Sequence, residues 1–201
     1  ILNVGKIRNS GVEVEINWAD SKGGFDYNIG MNFSTTKNKV VELADKGQVL
    51  YGEGLKYGTE HFPTQTRVGK PIGAFYLYKT NGLFQSNEEA RQYVNADGDE
   101  YQPFADAGDI RYVDVNGDGY IDDDDKVYCG SGIPTLEVNL NFSAGYKGFD
   151  LSVVLGSAWG HKIYNGNKYF YEGMNSGSNF LTSSLNVWTP QNTNTNIPRA
   201  I

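Results

Sequence analysis

Four stretches of strict period-two alternation constrain this chain more than any other feature. Val12, Val14, Ile16 and Trp18 alternate with Glu13, Glu15 and Asn17. After a turn at Asp20-Ser21-Lys22-Gly23-Gly24, Phe25, Tyr27, Ile29, Met31 and Phe33 alternate with Asp26, Asn28, Asn32 and Ser34. The design recurs far downstream, where Leu136, Val138, Leu140 and Phe142 alternate with Glu137, Asn139, Asn141 and Ser143. A tight turn at Tyr146-Lys147-Gly148 then leads to Phe149, Leu151, Val153 and Leu155 against Asp150, Ser152 and Gly156. Successive side chains of a strand point to opposite faces, so each stretch predicts a strand with one apolar face and each pair a hairpin.

Each strand has about nine to ten residues, the length a tilted strand needs to cross a bilayer's hydrocarbon layer. Rings stand near the strand ends, with Trp18 and Phe25 at the first turn, Tyr146 and Phe149 at the second and Trp159 where the fourth strand finishes. That fits an aromatic girdle at a membrane interface. Periodicity alone leaves a soluble β-sandwich equally open, since the same faces could meet in a core. Connection lengths favour the membrane. Both hairpin turns are tight, whereas residues 44–134 and the stretch from Gly160 onward are long, polar and rich in Gly, Asn and Asp. Outer-membrane barrels show this asymmetry, and a sandwich rarely carries so long an excursion. The expected fold is all-β, a segment of a large antiparallel transmembrane β-barrel with about four strands here and long extracellular loops. All of residues 1–201 belong to it, with one extracellular excursion at 44–134 and a second loop region at 160–201.

The excursion contains DVNGDGYIDDDD, Asp114 to Asp125. A calcium loop of the EF-hand kind places oxygen ligands at its positions 1, 3, 5, 7, 9 and 12, with glycine at 6 for the turn. Here those positions are Asp114, Asn116, Asp118, the Tyr120 carbonyl, Asp122 and Asp125, with Gly119 at the turn and apolar Ile121 at position 8. The order predicts a structural Ca2+ site; the alternative is a solvated Asp/Gly-rich turn. Position 12 is Asp instead of Glu, whose longer side chain reaches the ion more readily, and neither flank is helical in pattern. The loop is therefore of the isolated type, a brace for an extracellular segment and not a signalling hand.

Elsewhere in the excursion, Ile72 to Phe84 predicts a short hairpin around Asn81-Gly82. Residues 86–95 predict a short helix with Ser86 as N-cap and Glu88 and Glu89 in its first turn. The net charge of −7 argues against nucleic-acid binding, which needs clustered Lys and Arg. The single Cys129 allows no intrachain disulfide, and no partner at motif spacing makes it a zinc ligand or a nucleophile. His61 and His161 have no catalytic partner at motif spacing, and Asp97-Gly98-Asp99-Glu100 reads as a solvated turn. No apolar run is long enough for a membrane helix, and no signal peptide opens the chain. The chain starts at Ile1 without a Met and reads as an excerpt.

Five segments carry a family resemblance: NVGKIRNSGVEVEINW, VGKPIGAFYLYKTNGLFQS, GDIRYVDVNGDGYIDDDDK, YKGFDLSVVLGSAWG and VWTPQNTNTNIPR. In this order, over nearly the whole length, they resemble the C-terminal barrel portion of SusC-like TonB-dependent outer-membrane transporters of the Bacteroidetes type. The resemblance implies a bacterial outer-membrane location and energy-coupled import of a ligand too large for porins, most often an oligosaccharide and sometimes a peptide. It also implies a SusD-like surface lipoprotein as lid and the TonB complex as driver, the latter acting through a plug domain outside these residues. The aromatic, Asn-rich final forty residues suggest Tyr169, Tyr171 and Asn175 as ligand-facing side chains, although a loop loosened by glycine explains them as well. No catalytic constellation is expected. A secreted calcium-binding β domain that recognises carbohydrate is the alternative function, and a glycan-active enzyme comes third because the densest carboxylates are ordered for a cation.

Overall fold

The computed structural model describes residues 5–45, 47–52, 62–172 and 179–200. It divides into two compact units, residues 1–75 with 129–163 and residues 76–128 with 164–201.

The first unit holds the predicted hairpins. Strands β1 (Gly5–Ser10), β2 (Glu13–Lys22), β3 (Phe25–Thr35) and β4 (Lys37–Leu43) are followed by short β5 (Leu50–Tyr51), β6 (Thr64–Thr66) and the start of β7 (Ala74–Tyr78). Two long strands, β11 (Leu136–Tyr146) and β12 (Phe149–Trp159), come later. An antiparallel sheet runs in the order β12, β11, β3, β2. The two hairpins lie side by side, joined by the β3–β11 ladder from Leu136 opposite Thr35 to Tyr146 opposite Phe25. Gly23 and Gly24, both at positive φ, make the first turn; at the second, Lys147 (φ 49°) precedes Gly148.

This register puts every predicted apolar residue on one face. Ile16, Met31, Leu140 and Leu155 form one row across the four strands, and Trp18, Ile29, Phe142 and Val153 the next. In a soluble sandwich such a face would be covered. Here Ile16 is 58% exposed, Trp18 61%, Leu155 59% and Phe149 82%, and β2 and β12 are exposed along their whole length. Burying one such side chain is worth about 1.5–3 kcal/mol, so a bare face of this size requires an apolar surrounding. The opposite face is polar on β2, β3 and β11, with Val154 and Ala158 the apolar exceptions on β12. On it Gly30 lies between Asn17 and Asn141, and a Cβ there would come within 2.7 Å of the Asn17 Oδ1.

The first hairpin is longer than its alternation predicts. β1 pairs antiparallel with β4, and this ladder continues the β2–β3 register, with Glu13 opposite Ser34 and Ser10 opposite Lys37. Between them Thr35 donates its N–H to the Val12 carbonyl at 2.8 Å. Gly11 is required at the junction, because any Cβ there would overlap the Thr35 carbonyl oxygen. β11 begins at Leu136, opposite Thr35, so beyond that level the hairpin continues as a two-stranded ribbon.

The second unit contains the rest of β7, β8 (Thr80–Leu83), helix α1 (Asn87–Arg91), β9 (Ile110–Tyr112), the start of β10 (Lys126–Gly130) and helix α2 (Gly166–Tyr171). Single 3-10 turns occupy Asp123–Asp125 and Thr182–Asn186. Its small core is Phe84, Ala90 and Ala105, with Tyr93 packed against them. Two expectations need correction. Asn81-Gly82 is not a hairpin turn: β8 pairs with β9, and Gly82 (φ 78°) sits at an irregularity in that ladder. An Asn-Gly pair supplies positive φ equally well to a turn or a bulge, and the non-local partner decided between them. The helix starts as expected, with the Ser86 hydroxyl accepting from the Glu89 N–H, but it spans only 87–91. After it the chain folds back, Val94 bridging to Glu100 around a turn in which the Asn95 Oδ1 accepts from the Asp97 and Asp99 N–H groups. No described helix is long and apolar enough to cross a membrane, which says nothing of strands.

Candidate functional site

The Asp114–Asp125 loop follows β9 and ends in the 3-10 turn that opens β10. Its side chains organise its own backbone. The Asp114 carboxylate accepts from the Gly117 N–H at 2.6 Å and the Gly119 N–H at 2.9 Å, and the Tyr101 hydroxyl donates to it at 3.3 Å. Asn116 Oδ1 accepts from the Asp118 N–H, Asp118 Oδ1 from the Tyr120 N–H, and Asp122 Oδ1 from the Asp124 N–H. Gly117 (φ 77°) and Gly119 (φ 92°) supply the left-handed residues that let the loop coil on itself.

Asp125 closes the ring. It is 1% exposed, one oxygen accepting from the Val115 N–H at 2.7 Å and the other from the Asp122 N–H at 2.8 Å. Burial raises the pKa of Asp114, but donation from the Gly119 and Gly117 amides and the Tyr101 hydroxyl outweighs it and holds the carboxyl below its ordinary range. The Tyr101 phenol is pushed up, first by burial and then by the Asp114 charge.

The exit of the loop is anchored by charge. The buried Lys126 ammonium lies 2.6 Å from the Asp123 carboxylate and 5.0 Å from the centre of the Tyr78 ring, and the Tyr78 hydroxyl donates to Asp123 at 3.1 Å. Burial first, and then the Asp123 charge, pushes the Tyr78 phenol far above its ordinary value. At the turn Asn95 donates to the Gly119 carbonyl at 3.1 Å.

The oxygen donors thus lie in one closed loop in the predicted order. Their described partners are amides and hydroxyls, and among the described residues no group of three His, Cys, Asp or Glu side chains is gathered to hold a metal. Oxygen donors of this kind are the chemistry a hard cation takes, but Asp114 Oδ2 accepts from both the Gly119 amide and the Tyr101 hydroxyl, and Asp125 Oδ1 from both the Val115 and Asn116 amides, so these two carboxylates are turned to the loop's own donors.

The other candidates are not assembled into a site. Tyr171 ends α2 with its side chain exposed, and its carbonyl accepts from the Leu181 N–H and the Ser184 hydroxyl. Of Tyr169 only the backbone, within α2, is described; Asn175 and His61 lie outside the described residues. α2 and the 3-10 turn at 182–186 give regular structure to a region expected to be loop.

A network that sequence reasoning missed holds the final segment. Arg199 binds Asp109 through two nitrogens, at 2.8 and 3.1 Å, and reaches Asp106 at 3.4 Å. Trp188 is buried over Gly108, whose φ of 90° and lack of a Cβ admit the indole, and its Nε1 donates to Gln85 at 3.3 Å. No motif spacing predicts a pairing across 90 residues.

No family model matches the chain. TonB-dependent receptor P3 of Formosa agariphila is 29% identical over 201 residues, covering 99% of this chain and 19% of that protein. TonB-dependent receptor P26 of the same organism is 30% identical over 206 residues, 100% of this chain and 20% of the relative. TonB-dependent receptor SusC of Bacteroides thetaiotaomicron is 23% identical over 188 residues, 91% of this chain and 16% of the relative. The chain spans about a fifth of the length of these relatives. Among solved structures, the RagAB peptide transporter aligns with TM-score 0.70 at 19% identity, over 98% of this chain and 20% of that one. The RagAB peptide importer in its 'open-open' state aligns at 0.66 and 17% identity, over 98% of this chain and 20% of that one. These alignments establish a likeness of fold.

Proposed function

We propose, because this chain is a segment of a SusC-like TonB-dependent receptor of the bacterial outer membrane, that it supplies barrel wall and extracellular loops to an importer of a large nutrient. The observation that carries this reading is the four-stranded sheet with apolar side chains exposed on all four strands, along the whole length of β2 and β12, while its other face is mainly polar. Lipid covers the first, and the lumen with its plug meets the second. The tight turns at 20–24 and 146–148 face the periplasm, so residues 44–134 and the stretch from 160 onward lie outside the cell. No step of catalysis is involved; the relatives are named receptors.

The nutrient we infer is an oligosaccharide, delivered with a SusD-like lipoprotein as lid and drawn in by the TonB complex. Tyr169, Tyr171 and Asn175 contribute through ring stacking on sugar faces and amide bonds to hydroxyls. A peptide is the second reading, favoured by the likeness of fold to the RagAB peptide transporter. Growth of a strain with Tyr169→Ala and Tyr171→Ala in its full-length receptor separates the two. Slow growth on oligosaccharides with normal growth on peptides is expected. A defect confined to peptides would replace the first substrate with the second, and no defect would remove these tyrosines from the site.

The loop at 114–125 serves this role as a brace. Asp114, Asn116, Asp118, Asp122 and Asp125 with the Tyr120 carbonyl would hold Ca2+, whose charge offsets the repulsion among carboxylates packed in one turn. Extracellular modules bind with Kd of about 0.1–1 mM, weak but sufficient where calcium is millimolar. Terbium luminescence sensitised by Tyr101 and Tyr120 is expected from the full-length receptor, displaced by Ca2+ and abolished by Asp118→Ala with Asp122→Ala. Absence of any displaceable signal would leave the loop held by its amides alone.

A further inference from the structure

The ribbon of β1 and β4 lies beyond the level where the four-stranded sheet ends, and its two faces differ. On one, Asn9 pairs with Asn38 and Ile7 with Val40. On that face β4 is covered, with Val40 fully buried and Asn38 accepting from the Ile72 N–H at 2.8 Å, while Ile7 and Asn9 of β1 are exposed. On the other face, Ser10 lies opposite Lys37, Arg8 opposite Lys39, and Lys6 opposite Glu42. Lys6, Arg8, Lys37 and Lys39 are all exposed, and none has an ion pair among the described residues. Four cations against one carboxylate leave this face at +3. Arg8 directly opposite Lys39 is an unfavourable pairing for a strand ladder on its own.

Register ties these cations to the membrane face. Because the β2–β3 ladder passes into the β1–β4 ladder without a slip, the cationic side chains continue the apolar row of Val14, Ile16 and Trp18. The last row of the wall is Val12, Thr35, Leu136 and Trp159, and the exposed Trp159 indole marks the interface. At about 3.3 Å per residue, the Ser10–Lys37, Arg8–Lys39 and Lys6–Glu42 rows lie about 7, 13 and 20 Å further along the strands. With a strand tilt of about 35–45°, they stand roughly 5–15 Å above the hydrocarbon edge, in and just above the headgroup layer.

We propose that this outward face binds the phosphate-bearing headgroups of lipopolysaccharide in the outer leaflet. Anionic groups on both sides of Arg8 and Lys39 turn a repelling pair into a clamp, and the bidentate fork of Arg8 suits a phosphate. The cations stand on this side of the ribbon alone, and its continuity with the lipid-facing row selects lipid over a soluble anion. The inference rests on the orientation proposed above, with the hairpin turns in the periplasm.

The test uses the purified full-length receptor, titrated with lipopolysaccharide and followed by native mass spectrometry. A variant with Lys6→Gln, Arg8→Gln, Lys37→Gln and Lys39→Gln is expected to lose at least about tenfold in affinity while keeping its heat-modifiable electrophoretic mobility, each cation near an anionic surface contributing a several-fold factor. Dephosphorylated lipopolysaccharide should bind the unaltered receptor as weakly as intact lipopolysaccharide binds the variant, and free inorganic phosphate should not compete. A control with Lys22→Gln and Lys147→Gln, at the turns, should bind normally. Unchanged binding in both variants overturns the proposal alone. Loss in the turn variant instead of the ribbon variant overturns the proposal together with the orientation. Competition by free phosphate would make this an anion site and overturn the lipid assignment.

Discussion

The sheet and the loop unit reach order by opposite routes. In the sheet, β2 and β12 expose all their residues, and its large apolar side chains are turned outward. In the loop unit the apolar core is small, built on Phe84, Ala90 and Ala105, and most of the fixing is polar. There Asp114 and Asp125 bind loop amides, Arg199 grips Asp109, and Arg91 bonds to Glu100 and Asp106. One region therefore depends on what surrounds it, the other on hydrogen bonds within itself. A bilayer can replace a core, whereas a loop in water must satisfy its own backbone.

The largest expected effect tests the sheet. Ile16→Lys puts a charge on the lipid face and should destabilise the full-length receptor by about 2–4 kcal/mol in urea titrations from liposomes. Asn17→Lys, one residue away on the polar face, should cost under about 1 kcal/mol by the same measurement. Equal effects would erase the distinction between the faces. Next comes Asp125→Asn, which gives the buried carboxylate of the loop an amide NH2 that faces donors. A local cost of about 1–3 kcal/mol is expected, seen as faster hydrogen exchange at Val115 and Asp122 with the sheet unaffected. Spread of the faster exchange into β3 and β11 would mean that the regions are not independent in stability. The smallest is Arg199→Gln. This pair is partly exposed, so the loss should be about 1 kcal/mol, read as freer proteolysis of residues 187–200 without a change in the sheet.

Legibility followed the range of the interactions. The four long strands, their apolar faces and both turns were readable, because period-two alternation is local and the register only had to match it. The Ser86 cap and the order of the loop's oxygen donors were readable for the same reason. The ribbon was not: KIRNS and KNKVVEL carry no clean alternation, since their exposed face is cationic and a bulge between Lys6 and Ile7 breaks the count. Asn81-Gly82 was misread because its partner strand begins at Ile110.

The sequence by itself thus determined that four strands each carry one apolar and one polar side, that two turns join them in pairs, and that six oxygen donors follow one another at calcium-loop spacing. Tertiary structure alone decided that the hairpins lie side by side with their apolar sides on one bare face, that the loop's carboxylates close on its own amides, and that Trp188 and Arg199 return to Gly108 and Asp109. The physical reason is that side-chain alternation and donor order are properties of neighbours along the chain. Pairing, burial and charge compensation depend on residues that only folding brings together.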